Sequence, residues 1–239
     1  MIPIIFITAT SDPEVTHPMS ATHPARGAAP PEGRRTRNKR EKLERIVRAA
    51  TGLFREQGFD ATTGRQVCEQ AGIATGTLFL YVRDKRELLF LMFRPRAEGV
   101  FARLPPGLSE GQGVVDGLMG LFGGLMRMYG RDRPLARLFV QELLFRSDQA
   151  DAMRALSAEL GRRVRRMVEE ARARGELRGD VPVAEMVSAL GAHYMHWIQL
   201  WLGTGAVGQR AAERGLRRSL ELQVSGLAPR ASRGEGGER

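Results

Sequence analysis

The chain has 239 residues, 42% of them hydrophobic, one cysteine and a formal net charge of +10. That length allows one large or two small domains with a sizeable core. A lone cysteine excludes an intrachain disulfide, and no apolar run approaches the roughly 18–20 residues of a membrane span. Good helix formers (Ala, Leu, Arg, Glu, Met) dominate and β-branched runs are rare beyond residue 10, so an all-α chain is expected. The positive charge suits an anionic partner, either nucleic acid or a membrane surface.

In chain order, residues 1–33 hold six prolines among Ser, Thr, Ala and Gly and keep no helical or strand period. They read as a disordered leader. Met19 begins an equally reasonable shorter chain. The apolar start Met1–Ala9 lacks a basic leader and is too short for a signal core, so a cytoplasmic protein is expected. Between Arg26 and Arg48 nine Arg or Lys face three Glu, a local excess of +6. From Asn38 a single apolar stripe begins: Leu43, Ile46, Val47, Ala50, Leu53 and Phe54 recur at helical spacing, with Gly58 as the stop signal. Thr63-Gly64-Arg65-Gln66 predicts a capping box opening a second helix, which closes at Ala71-Gly72. A third short helix is expected from Thr75 to Val82, with Leu78 and Val82 inward and Leu80 outward. Asp84 caps a fourth.

Two short helices joined at Ala71-Gly72-Ile73 form a helix-turn-helix, in which glycine supplies the positive φ of the turn. The stretch from Lys42 to Thr63 resembles the opening of a TetR-type DNA-binding domain. Its continuation is similar as well: Val67-Cys68, Ala71-Gly72-Ile73, Gly76-Thr77-Leu78-Phe79, Tyr81-Val82 and Lys85-Arg86-Glu87-Leu88-Leu89. The resemblance covers residues 38–93 and implies a regulator of the TetR/AcrR family. It also implies DNA contacts. Thr63 and Lys85 match phosphate contacts, and Tyr81 keeps a phenol for another or packs in the core. Arg65 reaches a base or phosphate, or is simply solvated. Thr75, Gly76 and Thr77 open the recognition helix, and Leu80 faces the groove. Phe79 stands where the family has Tyr and lacks its hydroxyl. Arg34–Arg40, including Arg37 and Arg40, reads as a basic arm before the first helix, tracking phosphates or entering a minor groove. Cys68 reads as a small buried residue.

Beyond the Leu104-Pro105-Pro106-Gly107 break, helices are expected at 109–130, 134–146, 149–175, 182–203 and 207–227, with a flexible tail at 228–239. The first has two faces. One carries Leu118, Met119, Phe122, Leu125, Met126 and Tyr129; the other carries Gly113, Gly117, Gly120 and Gly124 and forms either a mobile ligand wall or a close helix contact. Glu142 shares an apolar face and needs an Arg such as Arg127 or Arg163, or a polar ligand group. The Arg–Glu pairs of 149–175 read as a solvated face. The helix at 182–203 is apolar nearly all round; His193 and Trp197 share a stripe suited to line a pocket, and His193 with His196 lacks further metal ligands.

The expected architecture is therefore a three-helix helix-turn-helix domain (34–93) before a helical ligand-binding and dimerisation domain (94–227). The expected function is a sequence-specific transcriptional regulator: a homodimeric repressor on a palindromic double-stranded operator, released by a small apolar or amphipathic effector. Met119, Phe122, Met126, Glu142, His193 and Trp197 are the candidate effector contacts. The alternatives are an activator of the same architecture or a nonspecific architectural DNA binder. No nucleophile elbow, phosphate loop, metal-ligand spacing or carboxylate pair occurs, so no enzyme, cofactor, metal or membrane partner is expected.

Overall fold

The computed structural model describes residues 33–145 and 151–228, and every element in them is helical. The expected leader, up to residue 32, and the tail from 229 lie outside the described residues. Two compact units divide the chain, with the boundary between Met92 and Phe93. No helix among the described residues is long and apolar enough to cross a membrane.

The first unit begins with α1 (Arg34–Glu56), whose buried face is Ile46, Ala49, Ala50 and Phe54. The helix starts four residues before the expected start at Asn38, so Arg34–Arg40 is not an arm but the first two turns of α1. Arg, Lys and Glu are good helix formers, and the i,i+4 pairs Arg37–Glu41 (3.6 Å) and Arg40–Glu44 (3.7 Å) support the extension. Gly58, at φ +89°, turns the chain out of α1. Then α2 (Gly64–Ala71) opens on the expected capping box. Gln66 N–H donates to Thr63 Oγ1 (3.3 Å), and Thr63 N–H donates to Gln66 Oε1 (2.8 Å). Gly72, at φ +63°, ends α2. Next, α3 (Thr75–Leu78) is shorter than expected: beyond Leu78 the Leu80 and Tyr81 amides bond three residues back, a tightened turn that brings Val82 into the core. Cys68 is buried, its Sγ 3.8 Å from the Thr75 carbonyl, and burial raises its thiol pKa, as suits a packing residue.

The unit boundary falls inside α4 (Lys85–Ala102). The second unit continues with α5 (Val114–Gly130), α6 (Arg133–Phe145), α7 (Asp151–Ala173), α8 (Val183–Ile198) and α9 (Gln209–Gly226). Helix α8 ends in a π turn, Gln199–Gly203, that buries Trp201 and Leu202. Residues 109–113 are not helical, contrary to expectation: Gly111 sits at φ +68° and Gly113 caps α5. The Glu176 carboxylate accepts from Val114 N–H (2.9 Å), and Glu170 Oε2 accepts from Leu108 N–H (2.6 Å). Arg163 and Arg174 donate to the carbonyls of Leu104, Pro105, Ser109 and Gln112. The expected α7 pairs do form, Arg163–Glu159 at 2.7 Å and Arg166–Glu170 at 2.8 Å. Yet the Arg163 side chain is only 12% exposed, so this face of α7 holds the α4–α5 loop rather than water.

Candidate functional site

On the first unit, the surface around α3 is the candidate DNA interface. Leu78 and Val82 anchor it in the core while Phe79 and Leu80 stand 64% and 78% exposed. Two adjacent apolar side chains held this far into solvent are unusual on a soluble protein. Thr75 and Gly76 are exposed beside them, and Thr77 and Tyr81 are half-buried. At Gly76 an added Cβ meets no atom within 4 Å, so internal packing gives no reason for glycine there. The structure thus brings Thr75, Gly76, Thr77, Leu80 and Tyr81 together on one short segment, and adds Phe79, which a family comparison alone discounts for its missing hydroxyl.

Thr63 and Arg65 are exposed at the start of α2. The Thr63 hydroxyl is used by Gln66 in both directions, donating at 2.9 Å and accepting at 3.3 Å. Arg65 lies against Glu69 at 2.9 Å in a pair that water screens. Lys85 differs from expectation. Its ammonium donates to the carbonyls of Phe59 (2.6 Å), Thr62 (2.9 Å) and Asp60 (3.2 Å) and sits 4.5 Å from the centre of the Phe59 ring. All three N–H bonds are therefore used inside the protein, where Lys85 clamps the α1–α2 loop. The physical reason is that this loop turns three carbonyls toward one point, which a cation at the head of α4 satisfies despite the unfavourable helix dipole.

In the second unit, the expected effector residues do not converge. Phe122 and Met126 are fully buried, Phe122 stacking on Tyr194 at 4.4 Å and 11°. Met119 and Glu142 are half-buried elsewhere on α5 and α6. His193 and Trp197 point to α9, where His193 Nε2 lies 3.3 Å from Gln223 Oε1 and Trp197 Nε1 donates to Ser219 Oγ (3.0 Å). Trp197 also covers Gly215, where a Cβ would clash with its indole. The glycine face of α5 is a close helix contact at Gly117 and Gly124, against Leu108 and Val100, and opens at Gly120. There α4 and α5 leave a groove of about 340 Å³ bordered by Arg96, Arg103, Arg127 and Arg131.

The apolar cavity lies on the other side of α5. Phe101, Leu125, Tyr129, Phe139, Leu160, Tyr194 and Ile198 line it, and its free space is about 30 Å³. That is about one water's share of liquid volume, so any effector must spread these helices to enter. Two phenols face the space. Burial raises Tyr129 to about 12 and Tyr194 well above its ordinary value, while the two hydroxyls lie close enough to influence each other. The Tyr194 hydroxyl is buried, with the Tyr129 phenol beside it and no strong hydrogen bond made. Sequence reasoning named α5 and α8 but not this side of them; the signal for the cavity was two tyrosines on otherwise apolar faces.

Residues 46–92 match the family model described as "Bacterial regulatory proteins, tetR family". The chain is 28% identical over 74 residues to the "Fatty acid metabolism regulator protein" of Bacillus subtilis, covering 31% of this chain and 38% of that protein. It is 30% identical over 77 residues to the "HTH-type transcriptional repressor KstR2" of Mycobacterium tuberculosis, covering 32% and 38%. The chain thus matches about two-fifths of the length of these relatives. A crystal structure of Thermus thermophilus FadR, a TetR family transcriptional repressor in complex with lauroyl-CoA, aligns over 82% of this chain and all of that one. The identity there is 27% and the TM-score 0.55. The match over residues 46–92, the helical elements of the second unit and these likenesses make the chain similar to the TetR family of DNA-binding transcriptional regulators.

Proposed function

We propose that the protein is a ligand-responsive repressor that binds a palindromic operator as a homodimer and leaves it when an apolar effector enters the cavity between α5 and α8. The observation that carries the DNA half is the exposed Phe79–Leu80 pair beside Gly76, fixed by the buried Leu78 and Val82. A rigid base with a bare, partly apolar tip suits a major groove, where thymine methyls and close backbone approach reward such residues. Thr75 and Thr77 offer hydroxyls on the same segment. The first turns of α1, with Arg37 and Arg40 exposed, and the N-terminus of α2 supply phosphate contacts.

One reader on one half-site gives limited discrimination, which two-fold symmetry doubles. Helices α8 and α9, with half-exposed Trp197 and exposed Leu222, are the faces we assign to the dimer. The repressor relatives support repression, and the lauroyl-CoA held by the Thermus protein supports an effector with an acyl-type chain. Such a ligand acts by preferring one of two arrangements of α4–α8, a difference in affinity rather than competition at the DNA. Selection of genomic fragments by the purified full chain tests this reading. Enrichment of an inverted repeat, lost in the presence of an acyl-chain effector, is expected. Binding that ignores sequence would replace a regulator with an architectural binder.

A further inference from the structure

The cavity's polar inventory narrows what can fill it. Its walls are Phe, Leu, Ile, Val, Ala and Met, interrupted by Ser157, Tyr129 and Tyr194, and no Lys, Arg or His lines it. Tyr194 is 3% exposed, and its hydroxyl has only the Tyr129 phenol beside it, with no strong hydrogen bond made. A buried hydroxyl left so poorly satisfied costs free energy that a folded protein seldom leaves uncompensated. Its ring stacks on Phe122 inside the core. The neighbouring guanidinium of Arg163 lies over the outer Phe101 ring and is held by Glu159 and the Leu104 carbonyl. It is already engaged and does not reach into the space.

We infer that Tyr194, assisted by Tyr129, is the hydrogen-bond handle of the effector cavity, and that the cavity takes the uncharged carbonyl end of an apolar chain, an ester, thioester or ketone, rather than a free carboxylate. This rests on the effector reading above. Both phenols stay protonated across the physiological range, so they present donors to an acceptor. A carboxylate in the same place would be stripped of water with no cation beside it. The carbonyl asks for one or two donors and carries no such penalty.

The test uses the full chain at pH 7.5 and two ten-carbon probes, 2-decanone and decanoate, measured by calorimetry on the wild type, Tyr194→Phe and Tyr129→Phe. The wild type is expected to bind 2-decanone at least tenfold more tightly than decanoate. Tyr194→Phe should weaken 2-decanone about five- to tenfold, the scale of one hydrogen bond, and leave decanoate unchanged. Tyr129→Phe should weaken it less. Without ligand, Tyr194→Phe should melt close to wild type, because the deleted hydroxyl meets only the Tyr129 phenol; a midpoint several degrees lower would assign that hydroxyl a structural role and overturn the inference. Equal affinity for the two probes, or unchanged 2-decanone binding by Tyr194→Phe, would overturn the handle while leaving the cavity as an effector site. Failure of both probes to bind the wild type would remove the effector site itself, and the handle with it.

Discussion

Lys85→Met separates two roles for a residue at the head of α4. Methionine keeps a long apolar stem over Phe59 and removes the ammonium that holds the carbonyls of Phe59, Asp60 and Thr62. Hydrogen bonds to a charged donor contribute about 1.5–3 kcal/mol each when buried. Here Asp60 is exposed and Phe59 half-buried, so water recovers part of the loss, and the net cost should be about 2 kcal/mol rather than the sum. For a chain of this length that lowers the melting midpoint by roughly 4–8 °C. The assay pairs thermal unfolding of the full chain with operator affinity over a salt series at a temperature where both proteins are folded. A clamp gives a lower midpoint and an unchanged slope of log affinity against log salt. A phosphate contact gives an unchanged midpoint and a slope shallower by about 1.8, about 0.9 for each reader of the dimer. That second pattern would refute the assignment.

Two further perturbations probe the second unit. Gly124→Ala places a Cβ 2.8 Å from Val100 Cγ1, a stiff β-branched neighbour, and should cost about 1–2 kcal/mol in chemical denaturation. Gly120→Ala meets only Leu104 Cδ2 at 3.8 Å and should gain about 0.5–1 kcal/mol from helix propensity; stabilisation by both would show that the α4–α5 contact is not tight. The Glu170 carboxyl is held below its ordinary pKa by hydrogen bonds from the Arg166 side chain and the Leu108 amide. Its contribution is therefore complete above the unfolded value, near 4.3, and is lost as pH falls through the lower folded value. Midpoints measured from pH 7 to pH 3 should show Glu170→Gln less stable at neutrality and converging with wild type on acidification, and parallel curves would remove Glu170 from the loop.

The reader unit was legible because its signals are local. Gly58, the Thr63–Gln66 box, Gly72 and the inward Leu78 and Val82 each follow from backbone φ, a four-residue cap or a helical step. The start of α1 was missed because apolar periodicity begins only at Leu43, while the turns before it are held by charge pairs that have no apolar phase. The Lys85 clamp was hidden for a different reason. Its partners lie 23–26 residues away, and sequence spacing does not say which loop carbonyls converge. The cavity lining was hidden for a third. Helices α5 and α8 are apolar nearly all round, so periodicity cannot say which face meets the cavity, which meets α9 and which is fully packed. Only the helix arrangement puts Tyr129 and Tyr194 at the cavity and turns His193 and Trp197 to α9.

The account's central claim is that the Thr75–Tyr81 surface reads bases, and a binding-energy profile tests it most directly. Every single-base change in a selected operator would be measured with wild type and with Leu80→Ala, whose side chain is 78% exposed and contributes little to the fold. The expected result is a changed preference of about 1–3 kcal/mol confined to one or two positions, repeated symmetrically in each half-site, with the salt slope unchanged. An identical profile for the two proteins, or a uniform loss at every position, would contradict the claim.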